Sequence, residues 1–580
     1  MKPRASITKS ISGITPSPNL TNYTQAVAAF SWHRAEKEYV DFFDDSTLNI
    51  AYNCLTRHAI GAKAHKTALD YIDHDGNRKK YTFAEFDTLS NKFANVLKAE
   101  QVQCGDRVFI FMPTIPERSI AFLGILKTGA VAGTLFAAFQ EAALLDRLCD
   151  SEASVVVTTA DLYERIRPLR DQLPCLKTVI VVGKKATHDT SLLSYEHVMA
   201  HATDDFEVAH MQKTDPAYML YTSGTTGKPK GVIHSHGDIL QAIITTKDVL
   251  DLHDDDVYWC TADIGWVTGI VYGILGVWGL GVTQVMYGGK FSPENWYGVM
   301  QRTKTTVFYT APTAIRMLMA SPVSPKDYNL KALRHLCSVG EPLNPEAIWW
   351  GLEAFGLPFH DTWWQTELGG ICISNYPSLD IRPGSMGKPL PGITAAIIDD
   401  NGKPVATGVE GNLALRKSTL PALMKTIWKR PEKYAECFKG DWYISGDRAL
   451  VDGDGYFWFI GRADDLINTA GERVGPFEIE SILVGHPAVV EAAVIGKPDM
   501  LRGEIIKAFV VVQEDITQDD QLAADLRQYV KEKLAGHAYP REISFIDRLP
   551  KTRSGKIMRR ILKAQEMDVP VGDTSTLEEF

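Results

Sequence analysis

The stretch AYMLYTSGTTGKPKGVIHSH, residues 217–236, sets the frame for reading this chain. One apolar run enters a loop rich in glycine and hydroxyls, and a second apolar run leaves it. A strand, a permissive loop and a returning strand can aim backbone N–H groups at phosphate oxygens. Gly224, Gly227 and Gly231 free the backbone, Thr222, Ser223, Thr225 and Thr226 add hydroxyl donors, and Lys228 and Lys230 add charge. The loop is not a Walker A motif. Thr222 stands where its first glycine would be, and Pro229 where its magnesium-holding Ser or Thr would be. The competing reading is a plain hairpin turn, and the density of glycine, hydroxyl and lysine weighs against it.

Upstream, Thr82 and Glu85 form a capping box for a helix reaching about Lys98. VFIFMP (108–113) reads as a buried strand, and Thr114 with Glu117 is expected to cap a helix to about Lys127. VAGTLF (131–136), SVVVTT (154–159) and TVIVVG (178–183) are further strands, with a helix at QEAALLDRLCD (140–150). Strands alternating with helices imply an α/β fold with parallel sheets covered on both faces. Past Asp464 the chain has its own elements: AVVEAAVIG, IIKAFVVV, a helix from about Asp519 to Leu534, and EISFI. The expected organisation is a large N-terminal domain, 1–463, and a small α+β C-terminal domain, 464–580.

The 580 residues are 45% hydrophobic and 23% charged, which excludes wholesale disorder and fibrous structure. A net charge of -10 does not suit a general nucleic-acid binder. The eight cysteines are scattered and form no CxxC, so a disulfide scaffold or cysteine zinc site is not expected. Ile264–Gly289 is a 26-residue run without charge, long enough to cross a bilayer. Eight glycines interrupt it, so it reads instead as a buried helix followed by a strand. Before Glu36 no acidic residue occurs, as in a transit peptide, but Pro3, Pro16 and Pro18 break a long helix. Residues 1–35 are therefore expected to be a loosely ordered tail, and the protein cytoplasmic, with the mitochondrial matrix as the alternative.

Four further motifs carry chemistry. In Asp361-Thr362-Trp363-Trp364-Gln365-Thr366-Glu367, adjacent tryptophans point to opposite sides of an extended segment, and Glu367 is a hard oxygen ligand suited to magnesium. Packing plus a surface carboxylate explains the segment equally well. Ser338-Val339-Gly340-Glu341-Pro342 follows an apolar strand, where ligands bind in doubly wound sheets. Asp447, in YISGD (443–447), is either a turn aspartate or an acceptor for ribose hydroxyls. PKTRSGKIMRR (550–560) has five basic residues, and local composition does not decide between a basic patch and one lysine delivered to a phosphate.

In order, YTSGTTGKPKG, SVGEPLNPEA, DTWWQTE, YISGD, GRADDLINTAGERVGPFEIES and PKTRSGK resemble the acyl-adenylate-forming enzymes, the superfamily of acyl-CoA synthetases, adenylation domains and firefly luciferase. Including YWCTADIGWVTG (258–269) and FYTAPTAIRMLM (308–319), the resemblance runs from about residue 48 to 560 and points to the AMP-forming acetyl-CoA synthetases. It implies a large domain of stacked sheets covered by helices, a mobile small domain, and ligation of acetate to CoA through an acetyl-adenylate. ATP and CoA would be substrates and Mg2+ the metal. Propionate or a branched short acid is the alternative substrate; a membrane or basic-patch interaction protein is the rival from another class.

The resemblance also implies roles. Thr222 to Lys230 would cradle the β- and γ-phosphates, Gly340, Glu341 and Pro342 would frame adenine, and Asp361 to Thr366 would line the nucleotide. Asp447 would hold ribose with Arg462 and Arg473, Glu367 would bind magnesium, and Lys556 would be the catalytic lysine. Val267, Thr268, Val339 and Trp364 would wall the acyl pocket. Asp464 would be the hinge, and Ala470, Gly471, Thr268, Lys531 and Arg165 would meet CoA. A structural magnesium would sit at Val484, His486 and Val489. Partners would be the small molecules, with no nucleic acid or membrane, and a protein acetyltransferase or deacetylase acting on Lys556. Ile270 and Leu368 depart from the usual His and Thr, and Lys531 from the usual Arg.

Overall fold

The computed structural model describes residues 6–9, 13–183, 192–222, 229–469, 472–499, 502–514, 516–534, 538–552, 556–571, 574 and 577, without the side chains of 472 and 473. Among them are two large sheets of eight and fourteen strands and a smaller one of five. In the first, Pro216–Thr222, Val131–Thr134, Arg107–Phe111, Val155–Thr159 and Thr178–Val182 lie side by side and parallel. These strands are almost uniformly apolar because both faces are covered. Next to the edge strand Thr426–Ile427, Lys230–Ser235 returns antiparallel to Pro216–Thr222.

The second sheet has a parallel run of Thr283–Tyr287, Val257–Cys260, Val307–Thr310, His335–Ser338 and Phe359–Trp363. It continues through antiparallel strands, of which Phe457–Arg462 and Trp442–Val451 pair directly. The third sheet opens at Ile467–Thr469 and is built on Val489–Asp499 and Gly503–Val512. Ile479, Leu483, Leu526 and Val530 pack helices Pro476–Val484 and Asp520–Lys533 onto it as a separate core. The change of sheet between Arg462 and Ile467 brackets Asp464.

Local signals meet mixed outcomes. The Thr82/Glu85 capping box is present in full at helix Phe83–Ala99. Thr114 does not cap the next helix. Pro116 occupies its first turn after Ile115, and the Thr114 hydroxyl instead accepts from Arg118 Nη1 at 3.0 Å. The uncharged run folds as consecutive short helical turns from Val267 to Gly279 and then strand Thr283–Tyr287. No described helix is long and apolar enough to cross a membrane.

The expectation of a loose tail needs correction over its described residues. Asn22 and Ser31 cap helices Tyr23–Ala29 and Trp32–Tyr39, and Leu20 and Ala35 are buried in the main core. Ile7 bridges Ile381, and Lys9 Nζ reaches His360 Nε2 at 2.6 Å and the Tyr376 carbonyl at 2.9 Å. Composition could not anticipate a buried lysine. Desolvation lowers Lys9 from its ordinary value near 10.5 to about 7, against the raising influence of Asp380 and Asp251. The cost of burying its ammonium is therefore full below about pH 7 and fades toward pH 10.5. Relative to Lys9→Met, the parent should gain melting temperature as pH rises through that window. A difference that stays constant with pH would contradict a buried Lys9.

Candidate functional site

The hairpin that carries the phosphate loop is closed at its base. Thr222 pairs with Lys230 in register, so both loop ends leave the same sheet edge. Beneath it Asp150 accepts from Tyr221 Oη at 2.8 Å and from Arg430 Nη2 at 2.9 Å. Ser223, Gly224, Thr225, Thr226, Gly227 and Lys228 lie outside the described residues.

Asp447 is the meeting point. It is 4% exposed, and it receives Trp363 Nε1 at 2.9 Å, Gln365 Nε2 at 3.2 Å and Arg462 Nη1 at 2.9 Å. Burial pushes its carboxyl up, while Arg462 pulls it down. Asp447 and Arg462 face each other across paired strands. Gly446 makes the approach possible: its φ is +73°, and a Cβ there would come within 2.9 Å of Arg462 Nη2. Gln365 is itself fixed by Tyr443, whose hydroxyl donates to its Oε1 at 2.9 Å.

The other loops leave the C-terminal ends of parallel strands. Gly340 turns with φ +95° after His335–Ser338. Beside it Glu341 accepts from Thr313 Oγ1 at 2.9 Å and Arg316 Nη2 at 3.0 Å. Arg316 lies in the FYTAPTAIRMLM block, which gave it no role of its own. Thr362 serves the scaffold: its hydroxyl donates to the Ser338 carbonyl at 2.7 Å. Asp361 is fully enclosed, and burial raises its carboxyl well above the usual range. Thr366 and Glu367 form a tight turn held by Met424 N–H on the Glu367 carbonyl at 2.8 Å.

The two tryptophans separate as expected of an extended segment. Trp363 turns to Asp447, and Trp364 packs edge-on against Tyr272 with centroids 5.2 Å apart. Tyr272 was hidden in the apolar run; its hydroxyl meets Thr245 and the Ile371 amide. Val267, Thr268 and Val339 are buried in the same large domain.

Lys556 lies in electrostatic reach of Arg462 and Asp447. The residue is exposed to solvent. Desolvation lowers its pKa first, then Arg462, against Asp447. An ammonium that water still reaches keeps much of its hydration, which discounts that lowering. The lysine segment is tied across the domains. Asn344 Nδ2 donates to Ser481 Oγ at 3.0 Å, and Arg316 faces Glu491, which pairs with Lys551.

The CoA and structural-metal residues come together less clearly. Arg165 spends Nη1 on the carbonyls of Ala137 and Phe139, and Lys531 stands over the Tyr539 ring. Ala470, Gly471 and the Arg473 side chain lie outside what is described. Both ring nitrogens of His486 are engaged, Nδ1 by the Ala488 amide and Nε2 by Asp525 at 3.3 Å. No cluster of metal-ligating side chains forms with Val484 and Val489 among the described residues. Val484 and Val489 could offer a metal only their carbonyl oxygens. Glu367 fits a metal better. Its half-buried carboxylate has no described protein partner, and Cys437 senses both it and Lys230.

Residues 56–428 match the AMP-binding enzyme family and residues 478–556 its C-terminal domain. The chain belongs to this family. It is 52% identical to an acetyl-coenzyme A synthetase of Bacillus subtilis over 98% of this chain and all of that one. To an acetyl-coenzyme A synthetase of Methanothrix thermoacetophila it is 40% identical over 93% of this chain and 86% of that one. A solved anthranilate CoA ligase in complex with anthranoyl-AMP superposes with a TM-score of 0.84 at 32% identity, covering 90% of this chain and 98% of that one.

Asp447→Asn removes the charge that holds Arg462 and should weaken AMP binding about 10- to 100-fold, the range for hydrogen bonds to charged groups. Calorimetric titration with AMP would measure it, and unchanged affinity would remove Asp447 from the site.

Proposed function

We propose, from membership of the AMP-binding enzymes, that this chain is an AMP-forming acetate–CoA ligase. It joins acetate to ATP as an enzyme-bound acetyl-adenylate, releases pyrophosphate, and then transfers the acetyl group to coenzyme A with release of AMP. The 52% identity to a named acetyl-coenzyme A synthetase over nearly the whole chain carries this reading. The Trp364–Tyr272 wall supports it from the side of substrate size.

In the first step an acetate oxygen attacks the α-phosphorus and the bond to pyrophosphate breaks. Asp447 accepts the ribose hydroxyls, while Arg462 and Arg473 add positive charge. Gly340, Glu341 and Pro342 frame adenine, and the loop from Thr222 to Lys230 holds the leaving phosphates. Mg2+, held at Glu367, would neutralise phosphate charge. Lys556 places its ammonium between the carboxylate and the α-phosphate, where charge shifts in the transition state. In the second step the CoA sulfur attacks the acetyl carbonyl, the thiol proton leaves, and AMP departs with the bonding electrons. Rotation of the small domain at Asp464 would withdraw Lys556 and bring the Ala470–Gly471 loop to a CoA channel near Thr268. Arg165 and Lys531 are candidate contacts for the CoA phosphates.

Acetylation of Lys556 by a protein acetyltransferase, reversed by a deacetylase, belongs to the same proposal, as does a cytoplasmic location. Removing the lysine charge should stop adenylation and spare thioester formation. Lys556→Ala should lower ATP–pyrophosphate exchange by roughly 100-fold or more, as loss of one transition-state donor does. CoA ester formation from supplied acetyl-adenylate should stay near the parent rate; equal loss in both half-reactions would overturn the assignment.

An indole at Trp364 occupies the volume of additional methylenes, each worth about 0.8 kcal/mol of burial. Trp364→Gly should therefore move the preference from acetate toward butyrate and longer acids in a pyrophosphate-release assay. An unchanged preference for acetate would remove Trp364 from the acyl wall.

A further inference from the structure

His234 lies on the strand Lys230–Ser235, and it is fully buried. Its Nδ1 is 2.6 Å from Asp238 Oδ2, and its Nε2 is 2.8 Å from the Thr366 carbonyl oxygen. A carbonyl can only accept, so Nε2 carries a hydrogen. Asp238 also accepts from Ser235 Oγ at 2.7 Å through its other oxygen. Both ring nitrogens therefore have buried polar partners. Tyr218 stacks on the ring with centroids 4.8 Å apart and planes 12° apart.

The acceptor matters as much as the donor. The Thr366 carbonyl belongs to the turn Thr366–Leu368, which carries Glu367. The Glu367 carbonyl is taken by Met424 N–H at 2.8 Å, and Lys425 N–H donates to Ile233 on the histidine's own strand. The turn is thus tied twice to the strand that leaves the phosphate loop.

We propose that His234 is a positioning residue for the metal–phosphate site. Its Nε2–H sets the turn carrying Glu367 against the strand Lys230–Ser235, so the carboxylate meets the metal–nucleotide complex without first being ordered. The proposal rests on Glu367 as the magnesium ligand.

Two substitutions separate this role from simple core stability. His234→Gln places an amide N–H near Nε2 and keeps the bond to Thr366 while abandoning Asp238. His234→Asn places one near Nδ1 and keeps Asp238 while abandoning Thr366. The asparagine variant should lose about 10- to 100-fold in magnesium–ATP affinity by calorimetry, the usual cost of losing a partner one shell out from a metal. Its KM for magnesium–ATP should rise correspondingly, with the KM for CoA unchanged. The glutamine variant should stay near the parent in both, yet melt at a lower temperature than the asparagine variant because it leaves Asp238 without its main partner. Opposite rank orders for nucleotide affinity and melting temperature support the proposal. Equal affinity loss in both variants, loss that follows the melting rank, or equal loss for ATP in EDTA overturns it. Glu367→Gln, titrated with magnesium in parallel, tests the metal assignment separately: an unchanged magnesium requirement there would sink that reading whatever His234 does.

Discussion

A carboxylate taken out of water has to be repaid in hydrogen bonds and charge, and Asp447 sets that condition for this site. Its partners come from separate pieces of chain: Trp363 and Gln365 from the end of a parallel strand, and Arg462 from the strand paired beside it. Satisfying one side chain therefore fixes the relative position of the tryptophan motif, the antiparallel extension of the second sheet and the last residue before the small domain begins. Gly446 is part of the same requirement, because a side chain there would occupy the space of the guanidinium. Partners aimed inward at Asp447 also leave the direction of its remaining lone pairs set in advance, which is what a ligand-binding carboxylate needs.

The loops around it owe their position to a different constraint. In the second sheet the parallel strands all end on one side, so the turns after Ser338 and Trp363 gather there although they are apart in sequence. Hydroxyl and carbonyl pairs then hold them in depth. Thr362 ties its strand to Ser338, and Tyr309 reaches Thr362 from the next strand. The small domain approaches the same rim through Asn344 and Ser481 and through the alternating charges of Arg316, Glu491 and Lys551.

What the sequence revealed follows the range of each interaction. Thr82 and Glu85 act on each other within one turn, and that helix start was legible. Thr114 and Glu117 had the same spacing, but Pro116 already began the helix and Arg118 competed for the hydroxyl. The loose reading of the N-terminal segment failed because composition reports solubility, whereas Lys9 is placed by His360 and Tyr376, more than three hundred residues away. The site motifs were recognisable as blocks, yet their supporting partners were not. Tyr272 looked like any aromatic in an apolar run, and Arg316 and His234 lay inside quoted blocks without a role of their own. Those residues are defined by what faces them across the fold, and spacing along the chain does not encode that.

The strand Phe457–Arg462 ends in the arginine that pairs with Asp447, and the separate core of the third sheet begins only five residues later at Ile467. This places a natural seam for recombination directly behind that pair. A foreign small domain spliced in at Asp464 would inherit an intact Asp447–Arg462 pair and the whole Trp364 wall, since both belong to the recipient. It would have to bring its own lysine, and a surface that answers Asn344 and Arg316. Compatibility of such a swap is thus decided by a short list of groups on one face.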